Sequence, residues 1–185
     1  MNSKEYFNKA APKWDRMVFH DARKVAFIID ALKLKPTDTV LDVGCGTGVL
    51  IPYLAGKCGS VLAVDEAEKM IETAAAKYQY PNVEFKAVSF ESIDGKFDKI
   101  IMYSMFPHFN DQAAAVRRAA GLLKNGGKLM IAHSQSRDEI NHMHKSMSLK
   151  LPSAVEFAAL LASAGLRISQ TVDSGEMYVI AADKI

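Results

Sequence analysis

Apolar residues recur along this chain in two rhythms, unbroken runs and runs spaced three and four apart. Unbroken runs rich in β-branched residues predict buried strands over 39–43, 60–65, 83–88, 99–103 and 128–133. The second rhythm predicts helices between them. Val25, Ile28, Ile29 and Leu32 share one face of a helix over 21–34, which Pro36 stops, and Met70, Ile71, Ala74 and Ala75 share one face over about 67–78. Further helices are expected over about 49–57, from Asn110 or Asp111 to near Leu123, and, more polar, over about 136–148. Ser153 and Glu156 have the spacing of a capping box opening a last helix, and Gly165 stands where it would end. Pro81–Asn82 and "KNGGK" read as turns, and "DSGE" joins strands over 166–172 and 176–182 as a hairpin. Five strands alternating with helices, then an antiparallel pair, predict an α/β fold with an open, mostly parallel sheet. No repeat, low-complexity tract or linker divides the chain, so 1–185 is expected to be one domain.

The sharpest local feature is "VLDVGCGTGVL", Val40 to Leu50. An apolar strand runs into glycines at 44, 46 and 48, and a helix is expected beyond them. Strand, glycine loop and helix make the first half of a nucleotide-binding βαβ unit, in which backbone approaches the ligand because no Cβ intervenes. Asp65 ends the second strand, where a carboxylate can accept hydrogen bonds from both hydroxyls of a ribose. A dinucleotide site favours G-x-G-x-x-G, and here Val49 stands where that third glycine would be. A nicotinamide-dependent oxidoreductase is therefore the weaker enzyme alternative. Each residue also has a plain structural reading: Gly46 as turn geometry, Met70 as core, Asp65 as a helix cap.

Composition narrows the partners. A formal charge of +2 on 185 residues, with no dense basic block, gives no reason to expect nucleic acid. No apolar run approaches the roughly 18 residues of a membrane span, and the polar start "MNSKEYFNKAAPKWDRM" is unlike a signal peptide. Two cysteines, Cys45 and Cys58, make no disulfide framework, so a reducing, cytoplasmic setting is expected. Oligomeric state is not readable.

Taken together, the motifs resemble those of class I S-adenosylmethionine-dependent methyltransferases over nearly the whole chain. "LDVGCGTG" is similar to the family's first motif, "AVDEAEKMI" to its second-strand motif, "FDKIIMYSMFPHF" to its fourth-strand motif and "LLKNGGKLMIAHS" to its fifth-strand approach. "YFNKAAPKWDRM" further resembles the leading segment of the ubiquinone/menaquinone C-methyltransferase-like branch. The resemblance implies a Rossmann-like, seven-stranded sheet with helices on both faces and a C-terminal antiparallel hairpin, with residues 1–20 as a lid. It implies S-adenosylmethionine as cofactor, with Gly44 and Gly46 against its methionine part and Asp42 organising the loop and the amino group. It places Asp65 on the ribose, Met70 and Phe90 by the adenine, and Tyr103 near the reactive sulfur. Ser89 stands where the family often has an aspartate for the adenine amine, and it brings no charge.

Methyl transfer from a sulfonium needs alignment above all, and a base only where the acceptor must lose a proton. His108 follows the fourth strand, His133 ends the fifth, and Arg137, Asn141 and His144 share a helical face beyond it. His20 lies in the leading segment and could fold over the same mouth. Three roles stay open for His108, His133 and His144: a general base, a divalent-metal site holding the acceptor, or ordinary local hydrogen bonding. "YSMF" departs from the [DN]-P-P-[YF] used for amino groups of nucleic-acid bases, and Met102, Met105, Met143 and Met147 offer a deformable apolar wall. The expected function is methylation of a small, partly apolar molecule. The non-enzymatic alternative is an S-adenosylmethionine- or metal-binding module without transfer.

Overall fold

The computed structural model describes residues 3–143 and 150–185. Its centre is a seven-stranded sheet in the order β3-β2-β1-β4-β5-β7-β6. The strands are β1 (Thr39–Val43), β2 (Ser60–Asp65), β3 (Val83–Ala87), β4 (Phe97–Tyr103), β5 (Leu123–His133), β6 (Leu166–Asp173) and β7 (Tyr178–Lys184). The first five run parallel, while β7 is antiparallel to both β5 and β6. This is the open sheet with a terminal hairpin that the alternation predicts. From β1 the chain winds outward through β2 to β3, and it then returns to place β4 on the other side of β1. The switch point therefore lies between β1 and β4, where a crevice opens at the carboxyl ends of the strands.

Strand side chains alternate between two apolar layers. Val40, Val61, Ala63, Ile101 and Tyr103 face a layer shared with α3 (Ala22–Ala31) and the short α4 (Ile51–Leu54). Leu41, Val43, Ile100, Met102 and Ile131 face the other layer, with α6 (Gln112–Leu122) and α8 (Ala154–Ser163). Caps fix where these helices begin. The Asp21 carboxylate accepts the Arg23 and Lys24 N–H groups at the start of α3, Asp111 caps α6, and the Ser153/Glu156 capping box opens α8.

Four elements depart from the sequence reading. The helix expected over 49–57 contracts to α4, because turns run from the glycines up to its start: Gly48 N–H bonds Cys45 O at 2.9 Å and Ile51 N–H bonds Gly48 O at 3.1 Å. "KNGGK" does not end a helix–strand connection. It bulges inside β5, with Leu123 opposite Phe97 and Lys128 opposite Lys99 on β4. The polar helix is described as α7 (Arg137–Met143), and the expected remainder falls mostly on 144–149, outside the described residues. The leading segment folds as α1 (Ser3–Ala10), a 3-10 turn (Ala11–Lys13) and α2 (Trp14–Met17). Lys4 Nζ and Asn8 Nδ2 donate to the Glu68 carboxylate, and Lys69 N–H donates to Asn8 Oδ1, so α1 is docked on the start of α5 (Glu68–Lys77). Among the described residues no helix is long and apolar enough to cross a membrane.

Candidate active site at the glycine loop

The crevice holds a cavity of about 1410 Å³. That exceeds the roughly 300–1,000 Å³ of a single small-molecule site, so two ligands have room side by side. Gly44, Gly46, Asp65, Met70, Phe90, Tyr103, His108 and His133 all line it. Asp42 and Ser89 do not, and His144 lies outside the described residues.

Gly44 and Gly46 both adopt left-handed backbone, at φ +68° and +54°, where a Cβ is strained. Their surroundings differ. A Cβ on Gly44 would lie 2.9 Å from Met105 Cγ, so this glycine makes room for a side chain of the protein itself. A Cβ on Gly46 would meet only Trp14 Nε1, 4.0 Å away, and would project into space a ligand can use. Gly48 packs under the Tyr78 ring and Ala74 of α5, which seats the loop closely on that helix.

Asp65 is committed on one side to the protein. Its Oδ2 accepts the Gly46 N–H at 3.0 Å and its Oδ1 the Ala67 N–H at 2.9 Å, tying the glycine loop to the start of α5. The cap reading and the ligand reading are thus compatible, because each carboxylate oxygen keeps a second lone pair. Burial raises the Asp65 pKa, against the pull of these two N–H donors. Asp42 is 1% exposed, beneath the loop, and its Oδ2 has no hydrogen-bond partner. Burial, with Asp65 nearby, pushes its pKa up to about 7. Neither aspartate forms an ion pair among the described residues. One buried and one half-buried carboxylate, neither offset by a cation among the described residues, favour a positive ligand at the loop, and such a ligand favours the ionised form of Asp42.

Met70 is buried beside Ala11 and Ala67, with Phe7 and Trp14 of the leading segment packed over it. Phe90 is fixed from α6: the Arg118 guanidinium donates to Phe90 O and Ile93 O and lies 5.8 Å from the Phe90 ring centroid. Ser89 turns its carbonyl to the Ser92 N–H at 3.1 Å and the Ser92 hydroxyl at 2.8 Å. His108 meets the Phe7 ring edge-on, with centroids 5.4 Å apart. His133 is 1% exposed, its ring 6.4 Å from that of Tyr178. Among the described residues no group of three His, Cys, Asp or Glu could hold a metal ion. The trio of His108, His133 and His144 is not described in full.

Several lining residues carry no sequence signal of their own. Ser104 takes left-handed backbone at φ +55° directly after β4, its N–H held by Ala132 O at 2.9 Å. Lys24 Nζ donates to Ser134 O at 3.1 Å and Glu176 O at 2.8 Å, closing one side of the mouth with backbone from two separate turns. Thr47 donates to Asp15, whose other oxygen accepts from Lys77 at 2.6 Å. Only the tertiary fold brings these groups together.

Residues 41–131 match the family model described as a methyltransferase domain. The chain carries a methyltransferase domain. Within the matched span lie the glycine loop, Asp65, Met70, Phe90, Tyr103 and His108, while the leading segment and the hairpin fall outside it. A ubiquinone biosynthesis O-methyltransferase of Albidiferax ferrireducens is 37% identical over 95 residues, 48% of this chain and 38% of that one. The uncharacterized methyltransferase YcgJ of Bacillus subtilis is 28% identical over 173 residues, 86% of this chain and 67% of that one. The chain thus spans less than half the length of the ubiquinone enzyme. Magnesium protoporphyrin IX methyltransferase from Synechocystis, with bound S-adenosylmethionine, superposes with a TM-score of 0.79 over 98% of this chain and 95% of that one. At 21% identity, this likeness is one of fold. The methyltransferase domain therefore sits on the Rossmann-like sheet expected of it.

Proposed function

We propose that the chain is an S-adenosylmethionine-dependent methyltransferase acting on a small, partly apolar molecule. The observation that carries this reading is a pair of carboxylates, buried Asp42 and half-buried Asp65, without an ion pair among the described residues, at a glycine loop on the switch point of the sheet. A sulfonium and an α-ammonium are cations, whereas the pyrophosphate of a dinucleotide would be repelled. When bound, S-adenosylmethionine supplies a methyl group already activated by a neutral leaving group. The chain's own residues hold and orient. Gly46 leaves backbone open to the methionine part, the spare lone pairs of Asp65 suit the ribose hydroxyls, and Met70 and Phe90 offer faces for the adenine. Asp42 acts through its charge from beneath the loop.

The remaining volume, lined by Phe7, Met105, His108, Phe109, His133 and Met143, suits an acceptor with an apolar body. His108 and His133 stay within reach of such an acceptor. Residues 1–20 act as the lid of one domain spanning 1–185, a role favoured by Tyr6, Phe7 and Trp14 lining the cavity. The names of the ubiquinone and magnesium protoporphyrin enzymes fit an acceptor of this size.

Thermal unfolding with and without ligand tests the assignment. S-adenosylmethionine or S-adenosylhomocysteine at a hundred times its Kd stabilises by about 2.7 kcal/mol, an upward Tm shift of roughly 5–10 °C for a chain of this size. A matching shift with a nicotinamide dinucleotide, and none with either sulfur nucleoside, would overturn it.

A further inference from the structure

Resting on that methyltransferase reading, we propose that Trp14 of the leading segment binds the α-carboxylate of the cofactor's methionine part through its indole N–H. A Cβ on Gly46 would meet Trp14 Nε1 4.0 Å away, on the side of the glycine left open for a ligand, and both residues line the cavity. An indole N–H can only donate. Among the described residues nothing accepts from it.

Neighbours hold the half-buried Trp14 in place. The Phe7 ring meets it edge-on, with centroids 5.4 Å apart. Trp14 O accepts the Val18 N–H at 3.0 Å, which closes α2. Asp15, the next residue, accepts from Thr47 and from Lys77, so the backbone beside Trp14 is tied to the glycine loop and to the end of α5. The indole is thus fixed over the loop by contacts that leave its N–H unused.

The methionine part ends in an α-ammonium and an α-carboxylate, and only the carboxylate can accept from an indole. The groups around Gly46 sort the two. Asp65 holds the Gly46 N–H and Asp42 lies beneath the loop, so the acidic side suits the ammonium. The carboxylate then falls to the Trp14 side. Cations lining the cavity are already bonded: Lys4 to Glu68, Lys24 to Ser134 O and Glu176 O, and Arg118 to Phe90 O and Ile93 O. A neutral donor at the loop therefore meets the carboxylate, and a hydrogen bond to an ionised acceptor is one of the strong ones. Trp14 belongs to the proposed lid and Gly46 to the loop, so one carboxylate bridges both.

Calorimetry on the full chain compares S-adenosylhomocysteine with its decarboxylated analogue, which keeps the nucleoside, the thioether and the ammonium. Trp14→Phe keeps an aromatic ring against Phe7 and removes the N–H. It should weaken S-adenosylhomocysteine about tenfold and the decarboxylated analogue less than about twofold. Equal losses with the two ligands make Trp14 a packing residue and overturn the proposal, as does no loss with either. NMR of the wild type needs no variant. Trp14 is the chain's one tryptophan, so its indole N–H gives a single signal. Saturating S-adenosylhomocysteine should move that signal downfield and slow its exchange with water, and the saturating decarboxylated analogue should do neither. Identical responses to the two bound ligands overturn the carboxylate contact. Wild-type protein that binds neither ligand overturns the methyltransferase reading instead.

Discussion

Asp42 makes its own test of the charge argument. Its folded pKa of about 7 lies above the ordinary 3.8, so the folded chain holds a proton that the unfolded chain has released. Stability owed to this group is therefore fully present below about pH 4 and declines as pH rises toward 7. Asp42→Asn should flatten that slope and, by pH 8, exceed wild type by up to about 4 kcal/mol in urea unfolding. Above pH 7, where Asp42 is ionised, the same variant should bind S-adenosylmethionine more weakly, because one of the two carboxylate charges at the loop is gone. A variant that binds the sulfonium as tightly as wild type would count against a cation-selecting role. The glycines divide in the same way. Gly44→Ala meets Met105 as well as backbone strain and should lose about 2 kcal/mol or more. Gly46→Ala has only the strain, about 1–2 kcal/mol, yet should lose most cofactor affinity in calorimetry.

At the level of elements, the chain reads best where one signal repeats along it. The Ser153/Glu156 box forms as its spacing predicts, with Glu156 Oε2 on the Ser153 N–H at 2.7 Å, and Ser153→Ala should cost about 1 kcal/mol. Strand β1 and the helical faces at Val25–Leu32 and Met70–Ala74 were legible for the same reason, while Ala75, expected on the second face, is exposed. The bulge in β5 was not, because "KNGGK" has every mark of a terminating turn. Its continuation as strand depends on Phe97 and Lys99 lying alongside. The leading helices were hidden too. α1 buries no residue and earns its place through contacts with α5, some sixty positions away. Glu68→Ala removes the acceptor shared by Lys4 and Asn8, and faster amide exchange across Ser3–Ala10 should follow while the sheet stays protected. Unchanged exchange would place the anchoring of α1 in its aromatic contacts.

For the whole molecule, the sheet alone decides where chemistry can occur. Reversal of strand order beside β1 opens a crevice, and the motifs marked the half proposed for the cofactor because Gly44, Gly46 and Asp65 lie close to one another in sequence. The acceptor half was much less legible. Lys24, Ser134 and Glu176 come from three distant segments, and no spacing rule links the start of α3 to the turns after β5 and before β7. Ser89, which the motif order places at the cofactor, is not among the residues lining the cavity, and its carbonyl is held by Ser92.

The lid proposed over that crevice is tied in part by two ion pairs with partly exposed side chains, Lys4 with Glu68 and Lys77 with Asp15. Dissolved ions weaken such fastenings, while the greasy floor beneath barely notices them. Turnover should therefore quicken with added salt wherever product escape is slow, and saturation should come to demand more ligand. The brine around the molecule becomes a dial on its rate, and the fold beneath stays as it was.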